Sequence, residues 1–348
     1  MLASTQKLHH KRAPITLCEH LQMKPLFLPS GDPIADRRAD YAEMLSASGD
    51  HAAAADLMAQ AVECAPEWLG GQYRLGEMHE AAGNREAAAD AFRHCLRLDP
   101  KDRLGATLRL ELLGISIGIE APPSAFVEAL FDQYAEDFDK SLVERLDYRV
   151  PELLAEAIAS LPREAGAGFA HALDIGCGTG LMGERLRHHV SFLEGMDISG
   201  EMLKKAEEKG FYDRLAQSDL NLVERLGASV DLVVAADVFM YLGALDRVMP
   251  LVADALSADG VFAFSVEEHT GEEDFFLRPS RRFAHSRPYL ERLLARNGLV
   301  LVDCRREVIR TDRAEPVTGL ICTARRDVMG DAAALAIPLP DTESAPAL

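Results

Sequence analysis

The sequence is poor in basic and aromatic residues and has no long apolar run. Its 348 residues carry 37 Lys and Arg against 56 Asp and Glu, a formal net charge of −19, and aromatic residues make up 6% of the chain. Binding to nucleic acid depends on clustered Lys and Arg that contact phosphates, so we expect no nucleic-acid partner. No apolar run reaches the roughly eighteen residues of a membrane-spanning helix, so we expect no membrane span.

The cysteine pattern points to no metal and no disulfide framework. None of the six cysteines forms a Cys-x-x-Cys pair, and no His-x-x-x-His accompanies them. This pattern predicts reduced thiols in a cytoplasmic protein. The basic segment over residues 1–24 lacks the apolar core of a secretion signal, so we interpret it as a disordered tail or as the result of an early start codon, with Met23 as the alternative start.

A glycine-rich turn follows a short apolar strand in the middle of the chain. Gly176, Gly178 and Gly180 alternate after the strand that begins at Leu173, and Asp174 stands two residues before the first glycine. Glycines at this spacing allow a sharp turn and bring backbone N–H groups close to a ligand. A carboxylate at this point would repel a pyrophosphate, so the turn favours a cofactor with an amino acid tail and no phosphate.

Three more acids follow predicted strands at regular intervals. Asp197 ends a second strand seventeen residues after Gly180, where it can accept hydrogen bonds from ribose hydroxyls. Asp219 follows a third short strand, and Asp237 ends the buried-strand run that starts at Val230. Ser199 is placed to cap the helix after the second strand.

The glycine turn with its four acids resembles motif I and the following motifs of class I S-adenosylmethionine-dependent methyltransferases. The resemblance implies a doubly wound α/β domain with a seven-stranded, Rossmann-like sheet, and S-adenosylmethionine as cofactor. A tyrosine face beside the cofactor also stabilises its sulfonium by cation–π attraction. The cofactor-binding residues that the resemblance implies are Tyr134, Tyr148, Asp174, Gly176, Cys177, Gly178, Gly180, Asp197, Ile198, Met202, Ser218, Asp219, Leu220 and Asp237.

The rest of this domain shows the same alternation of helices and strands. The patterns predict a helix over 244–256, a strand over 261–266, a helix over 288–297 that ends at Gly298, and closing strands over 299–304 and 319–324.

The first third of the chain repeats itself with a period of 34 residues. Gly49 and Asp50 match Gly83 and Asn84, and two prolines recur at the same interval. The period resembles that of tetratricopeptide repeats (TPR). Two repeats are fewer than an independent solenoid needs, so they are either a groove for a protein partner or a helical cap that orders the next domain or shapes a dimer interface.

A helical segment lies between the repeats and the glycine turn. Two prolines break the chain before Ser124, which is placed to cap a new helix. Its continuation over 130–139 carries an aromatic stripe that is either core or a lid like that of small-molecule methyltransferases, with Tyr134 near the methionine part of the cofactor. Leu142 extends this stripe.

The order of parts resembles a bacterial group of predicted methyltransferases with N-terminal tetratricopeptide repeats. We expect a disordered N-terminal segment over 1–30, helical repeats over 31–120, lid and linker helices over 121–165, the methyltransferase domain over 166–326, and a disordered tail over 327–348.

Several side chains are candidates for the acceptor side of the site. The predicted catalytic residues are His285, Tyr241 and Glu267, with His285 the natural base because its unperturbed pKa is suitable. Arg281 and Arg282 can clamp an anionic acceptor, with Phe239 beside it. Alternatively, the arginines are solvated and His285 caps a turn.

Three functions remain open from the sequence. The leading hypothesis is a methyltransferase for a small-molecule acceptor, directed to an oxygen or carboxyl group. The second is a protein methyltransferase whose repeats recruit the target, and the third is a non-catalytic protein that senses S-adenosylmethionine. The segment from Asp237 to Met240 departs from the Asn/Asp-Pro-Pro-Tyr element of enzymes that methylate amino groups of adenine or glutamine.

Overall fold

The computed structural model describes residues 29–115, 118–136, 138–140, 146–162, 168–227, 229–312 and 315–326. The expected disordered segments fall wholly or almost wholly outside these residues, and so does Leu142. Within these ranges no helix is both long enough and apolar enough to cross a bilayer.

Four helices form two successive pairs at the start of the described chain. Asp32 and Asp50 cap the first two of these helices, because their side chains accept hydrogen bonds from backbone N–H groups of the first turn of each helix. Gly49 and Gly83 adopt left-handed φ values of +89° and +78° between the helices of each pair. The predicted helical pairs are therefore present, while their assignment as tetratricopeptide repeats stays a prediction. The four helices are α1 (Pro33–Ala47), α2 (His51–Cys64), α3 (Leu69–Ala81) and α4 (Arg85–Leu98).

Three further helices connect the pairs to the sheet: α5 (Ala106–Leu112), α6 (Ser124–Tyr134) and α7 (Val150–Ala159). The predicted cap at Ser124 is wrong, because the cap position is Pro123 and Ser124 is already helical. The lid helix also ends earlier than predicted, at Tyr134, and the described residues 138–140 are again helical.

A mixed sheet forms the centre of the second part. Its strands are β1 (Phe169–Ile175), β2 (Val190–Asp197), β3 (Arg214–Gln217), β4 (Val230–Ala235), β5 (Leu256–His269), β6 (Phe275–Leu277), β7 (Phe283–Ser286), β8 (Leu299–Asp312) and β9 (Glu315–Arg326). Five of them run parallel in the order β3-β2-β1-β4-β5, β9 pairs antiparallel with β5, and β8 pairs antiparallel with β9. These seven strands are the predicted ones, and their order is the Rossmann-like order that the resemblance implies.

The sheet has nine strands in the described residues, so the predicted count of seven is wrong. The two additional strands, β6 and β7, form a hairpin in the segment between β5 and the last helix. The hairpin joins the sheet because the end of β5, Glu267–His269, pairs in parallel with Ala284–Ser286. This hairpin extends the sheet beside the ends of the parallel strands.

The remaining helices are α8 (Leu181–Leu186), α9 (Gly200–Lys209), α10 (Val248–Ala255) and α11 (Arg287–Arg296). Helix α10 begins later than predicted, because the backbone N–H groups of Gly243 and Ala244 both donate to the carbonyl of Glu120. Strands β8 and β9 are longer than predicted, because they stay paired with each other up to Asp312 and Glu315.

Two apolar clusters fill the two faces of the sheet, as a doubly wound fold requires. One contains residues of α10 and α11, and the other contains residues of α7 and α8. A third cluster joins the second helical pair to the part of the chain that carries the sheet (residues 168–326, the catalytic part), because Tyr73 and Phe92 pack in it together with Phe126, Tyr241 and Phe283. The second pair and the catalytic part therefore share one apolar cluster, whereas the first pair packs in a separate one.

Candidate active site

The glycine turn closes the end of β1 in a strained shape that only glycine adopts easily. Gly176, Gly178 and Gly180 have φ values of +68°, +54° and +91°. A Cβ on Gly176 would lie 2.4 Å from a methyl carbon of Val238. The N–H groups of Gly176 and Cys177 both donate to the carbonyl of Met196, at 2.7 and 2.9 Å, so the turn is fixed to β2.

Asp174 is fully buried beneath this turn and lines a cavity at the ends of the strands. Its Oδ2 accepts a hydrogen bond of 2.6 Å from the Tyr212 hydroxyl, while Oδ1 has no partner in the described chain. Burial raises the pKa of Asp174 to about 7, and the nearby Asp197 adds to the shift. An unpartnered acceptor in this position fits a ligand that brings a cation or an N–H donor.

Asp197 holds the second side of the turn at the end of β2. It accepts hydrogen bonds of 2.8 Å from the backbone N–H groups of Gly178 and Ser199. Ser199 caps α9 as predicted, because its side chain accepts from the N–H of Met202. Burial raises the pKa of Asp197 to about 6. The carboxylate is thus fixed in orientation at the cavity wall, as the recognition of a ribose requires.

Asp219 lies after β3 at the far end of the cavity. Its Oδ1 accepts from the N–H of Asn221 at 2.8 Å, and the N–H of the preceding Ser218 donates to the Asp197 carbonyl. Ile198 and Leu220 line the cavity beside it. An acid flanked by apolar side chains suits an adenine ring with an exocyclic amino group.

An aromatic lid covers the cavity from the side of α6. Phe131 contacts Tyr241 edge to face at 5.1 Å and Phe138 at 6.0 Å, and all three rings line the cavity. The lid is tied to the catalytic part, because Asp132 accepts from the Ser199 hydroxyl at 2.6 Å and Asp139 from Lys209 at 2.5 Å. Tyr148 also lines the cavity.

The opposite half of the cavity carries a buried ionic network. Asp237, with φ of +57°, contacts Arg310 at 3.2 Å, and Arg310 also pairs with Glu267. Burial raises the pKa of Asp237, although Arg310 opposes the shift. Burial also raises the pKa of Glu267, but Arg310, Arg282 and Arg278 outweigh it and hold the pKa below its usual value. Asp237, Arg310 and Arg282 line the cavity.

The structure brings most of the predicted site residues to this one cavity. Those that line it are Tyr148, Asp174, Gly176, Cys177, Gly178, Asp197, Ile198, Ser218, Asp219, Leu220, Asp237, Tyr241 and Arg282. Tyr134, Gly180, Met202, Phe239, Glu267, Arg281 and His285 stand outside the lining. Among these, Gly180 and Met202 support the wall through the turn and the start of α9.

Four residues predicted for the acceptor side lie outside the lining of the cavity. His285 is fully buried and hydrogen-bonds the Gly243 carbonyl at 2.9 Å, and burial lowers its pKa to about 4. Phe239 packs inside the core against Phe262 and Phe264. Glu267 forms ion pairs with Arg310 and Arg278. The Arg281 side chain extends toward the helical pairs, where its guanidinium donates to the Tyr73 hydroxyl.

Tyr212 and Arg310 contact two of the predicted acids, and the sequence had not singled them out. Tyr212 reaches Asp174 from just before β3, and Arg310 reaches Asp237 from the distant strand β8. Neither belongs to a local motif, so no spacing in the sequence marks them. Asp132 and Asp139 were part of the predicted lid segment, but no pattern indicated their contacts.

Residues 173–262 match the family model described as Methyltransferase domain. The comparison with curated proteins found no match.

Among solved structures, the chain is similar to magnesium protoporphyrin IX methyltransferase from Synechocystis PCC 6803, with 19% identity over 58% of this chain and 99% of that chain and a TM-score of 0.46. It is also similar to 1,6-didemethyltoxoflavin-N1-methyltransferase from Burkholderia thailandensis, with 19% identity over 61% of this chain and 93% of that chain and a TM-score of 0.46. At this level of similarity, the activity has to be argued from the chain's own residues.

The family match and the buried acids around the glycine turn agree on one activity. The chain is an S-adenosylmethionine-dependent methyltransferase, and S-adenosylmethionine is its cofactor.

Proposed function

We propose that this enzyme transfers the methyl group to a small-molecule acceptor bound in the half of the cavity between the aromatic lid and Arg282. The observation that carries the proposal is that the cavity wall is built jointly by the lid and the catalytic part, with Phe131 against Tyr241. A pocket closed in this way has room for a small acceptor and excludes water from the reacting atoms.

We propose that the acids at the other half hold the cofactor. The Asp174 carboxylate binds the ammonium group of the cofactor. Asp197 accepts hydrogen bonds from the ribose hydroxyls of the cofactor, and Asp219 accepts one from its adenine amino group. When bound, S-adenosylmethionine supplies a methyl group on a sulfonium, which passes to a lone pair of the acceptor and leaves S-adenosylhomocysteine.

The chain's own contribution to the transfer is alignment and exclusion of water. Among the described residues that line the cavity there is no histidine, and Tyr241 and Asp237 are the polar groups beside the expected transfer point. An oxygen acceptor that is already ionised, such as a carboxylate, needs no base. We therefore propose an oxygen or carboxyl group as the acceptor, positioned by Tyr241.

The shared core disfavours the alternative of a protein methyltransferase with a recruiting module. The second helical pair packs Tyr73 and Phe92 into the same cluster as Tyr241 and Phe283, so this pair belongs to the catalytic body. A recruiting function would have to use the remaining surface of the first pair. We keep a cytoplasmic location as a prediction from the cysteine pattern.

Incubation of the full-length protein and methyl-labelled S-adenosylmethionine with a cell lysate tests the proposal. Label in the small-molecule fraction supports it, while label confined to protein would contradict it and favour recruitment by the helices. No label in any fraction, combined with tight binding of S-adenosylhomocysteine, would favour a sensor. A variant with Asp197→Ala is the negative control, because it removes the ribose acceptor.

A further inference from the structure

Two cysteines lie opposite each other on the antiparallel strands β8 and β9. Cys304 and Cys322 are register partners, and their Sγ atoms are 3.0 Å apart. The sulfur atoms of a disulfide are about 2.05 Å apart, so these two have to approach by roughly 1 Å to form a bond. The pairing of β8 with β9 therefore already holds the two thiols in position for a cross-link.

The two thiols differ in their access to solvent. Cys304 is partly exposed, and its strand β8 has β9 as its one neighbour among the described strands. Cys322 is fully buried in the apolar cluster that contains residues of α10 and α11. A reagent in solvent therefore reaches the sulfur of Cys304, and Cys322 reacts only through Cys304.

The contact between the sulfurs also moves the two pKa values apart. As hydrogen-bond donor, the Cys322 thiol lowers the pKa of Cys304, although burial opposes this shift. The guanidinium of Arg287 lowers this pKa further, and the carboxylates of Glu291 and Asp303 act against it. The same contact and burial raise the pKa of Cys322. Because the thiolate is the nucleophile, Cys304 is the attacking sulfur and Cys322 is the protonated partner.

We propose that Cys304 and Cys322 are a peroxide-reactive dithiol, a modification site that closes to a disulfide between β8 and β9. Neither cysteine lines the cavity, so this site is separate from the proposed methyl transfer and does not depend on the acceptor. Cys304 is the thiol that reacts with the oxidant, and Cys322 is the resolving thiol.

The oxidant is a hydroperoxide, with hydrogen peroxide as the simplest member. The Cys304 thiolate attacks one peroxide oxygen, the O–O bond breaks, and hydroxide leaves, so that Cys304 carries a sulfenic acid. The Cys322 sulfur then attacks the Cys304 sulfur, the S–O bond breaks, and the hydroxyl leaves as water with the Cys322 proton. Overall, two thiols lose two electrons and two protons, and one peroxide is reduced to two waters.

The test treats the reduced full-length protein with hydrogen peroxide, blocks the remaining thiols with N-ethylmaleimide, and maps the tryptic peptides by mass spectrometry. Trypsin cuts after Arg305 and Arg310, between the two cysteines, so a bond between them appears as two linked peptides. We expect these linked peptides in the oxidised protein, and we expect dithiothreitol to restore both thiols. The blocked thiols per chain should fall by two.

Serine variants separate the roles of the two thiols. In Cys322→Ser the sulfenic acid on Cys304 has no thiol opposite it, so labelling of Cys304 by dimedone should rise severalfold over that of the wild type. In Cys304→Ser the buried Cys322 should stay unmodified, because peroxide reaches it only through Cys304. Cys64→Ser, at an exposed cysteine of α2, is the matched control and should leave the cross-link unchanged.

The wild-type peptide map alone can overturn the proposal, whatever the folding of the variants. Absence of the linked peptides at a peroxide dose that already oxidises the exposed Cys64 would refute it. Accumulation of sulfinic acid on Cys304 in the wild type would also refute it, because a resolving thiol intercepts the sulfenic acid first. Equal dimedone labelling of the wild type and a cooperatively melting Cys322→Ser would remove the resolving role of Cys322.

Discussion

Removal of the Tyr212 hydroxyl tests the role of Asp174 most directly. In Tyr212→Phe the ring keeps its place against Gly183 and Gly195, while Asp174 loses a hydrogen bond of 2.6 Å and the Gly183 N–H loses its acceptor at 3.1 Å. A hydrogen bond to a charged group contributes about 1.5–3 kcal/mol, so affinity for S-adenosylhomocysteine should fall roughly 10- to 100-fold at pH 8.

The pH dependence gives this prediction a second readout. The Tyr212 hydrogen bond favours the ionised form of Asp174, so its loss moves the pKa, now about 7, upward. Calorimetric titration of S-adenosylhomocysteine across the range from about pH 5.5 to 9 should show the inflection of affinity at a higher pH in the variant, by roughly one unit for each 1.36 kcal/mol lost.

Tyr41→Phe on the exposed face of α1 controls for the substitution itself. An unchanged dissociation constant and an unchanged inflection in Tyr212→Phe, in a protein that still melts cooperatively, would refute the assignment of Asp174 as a ligand of the cofactor.

Three further predictions follow from the same contacts. In the wild type, cofactor affinity should rise as pH rises through about 7 and Asp174 ionises. The stability of the ligand-free protein should instead fall between about pH 4 and about pH 7 and level off above, because the pKa of Asp174 is raised in the folded state. Asp174→Asn should remove the rise in affinity and reduce the fall in stability, to which the raised pKa of Asp197 still contributes, in titrations and melting curves. Gly176→Ala should lower the unfolding free energy by about 2–5 kcal/mol, since it combines left-handed strain with a 2.4 Å clash at Val238. Gly210→Ala is the control, because Gly210 has the same φ of +68° but no atom within 4 Å, and it should lower the unfolding free energy by about 1–2 kcal/mol. Equal losses in denaturant titrations would contradict this prediction. Deletion of residues 1–102 should give a protein that elutes as aggregate and does not bind S-adenosylhomocysteine, because it removes the five buried members that α3 and α4 contribute to the shared cluster and exposes the rest. A monomeric product that binds normally would show that the helices are dispensable.

The sequence predicted those parts of the site that depend on local chain geometry. Gly176, Gly178 and the acids in or just after β1, β2 and β4 line one cavity, and the sequence could single them out because a strand and the turn after it lie within a few residues of each other. The parallel sheet then brings these acids together by its order alone. The predicted helix and strand types were right for the same reason, although several boundaries shifted.

The missed features depend on contacts between distant segments. Arg310 reaches Asp237 across 73 positions of the chain, and the hairpin of β6 and β7 forms because the end of β5 is free to pair with it. His285 was a good base by residue type, but its burial beside Gly243 is decided by tertiary packing. The residue type alone gives the unperturbed pKa of a histidine and does not include the lowering of that pKa by burial.

The core shared by the helical pairs and the catalytic part limits how this architecture can be recombined. Because Tyr73 on one part and Arg281 on the other meet in one contact, a chimera that takes its helices from one homologue and its sheet from another inherits a mismatched half-pocket. Successful exchanges must carry α3, α4 and the β6–β7 hairpin together. In such a family, acceptor preference is expected to vary with the helices and the hairpin jointly, while the cofactor half stays constant.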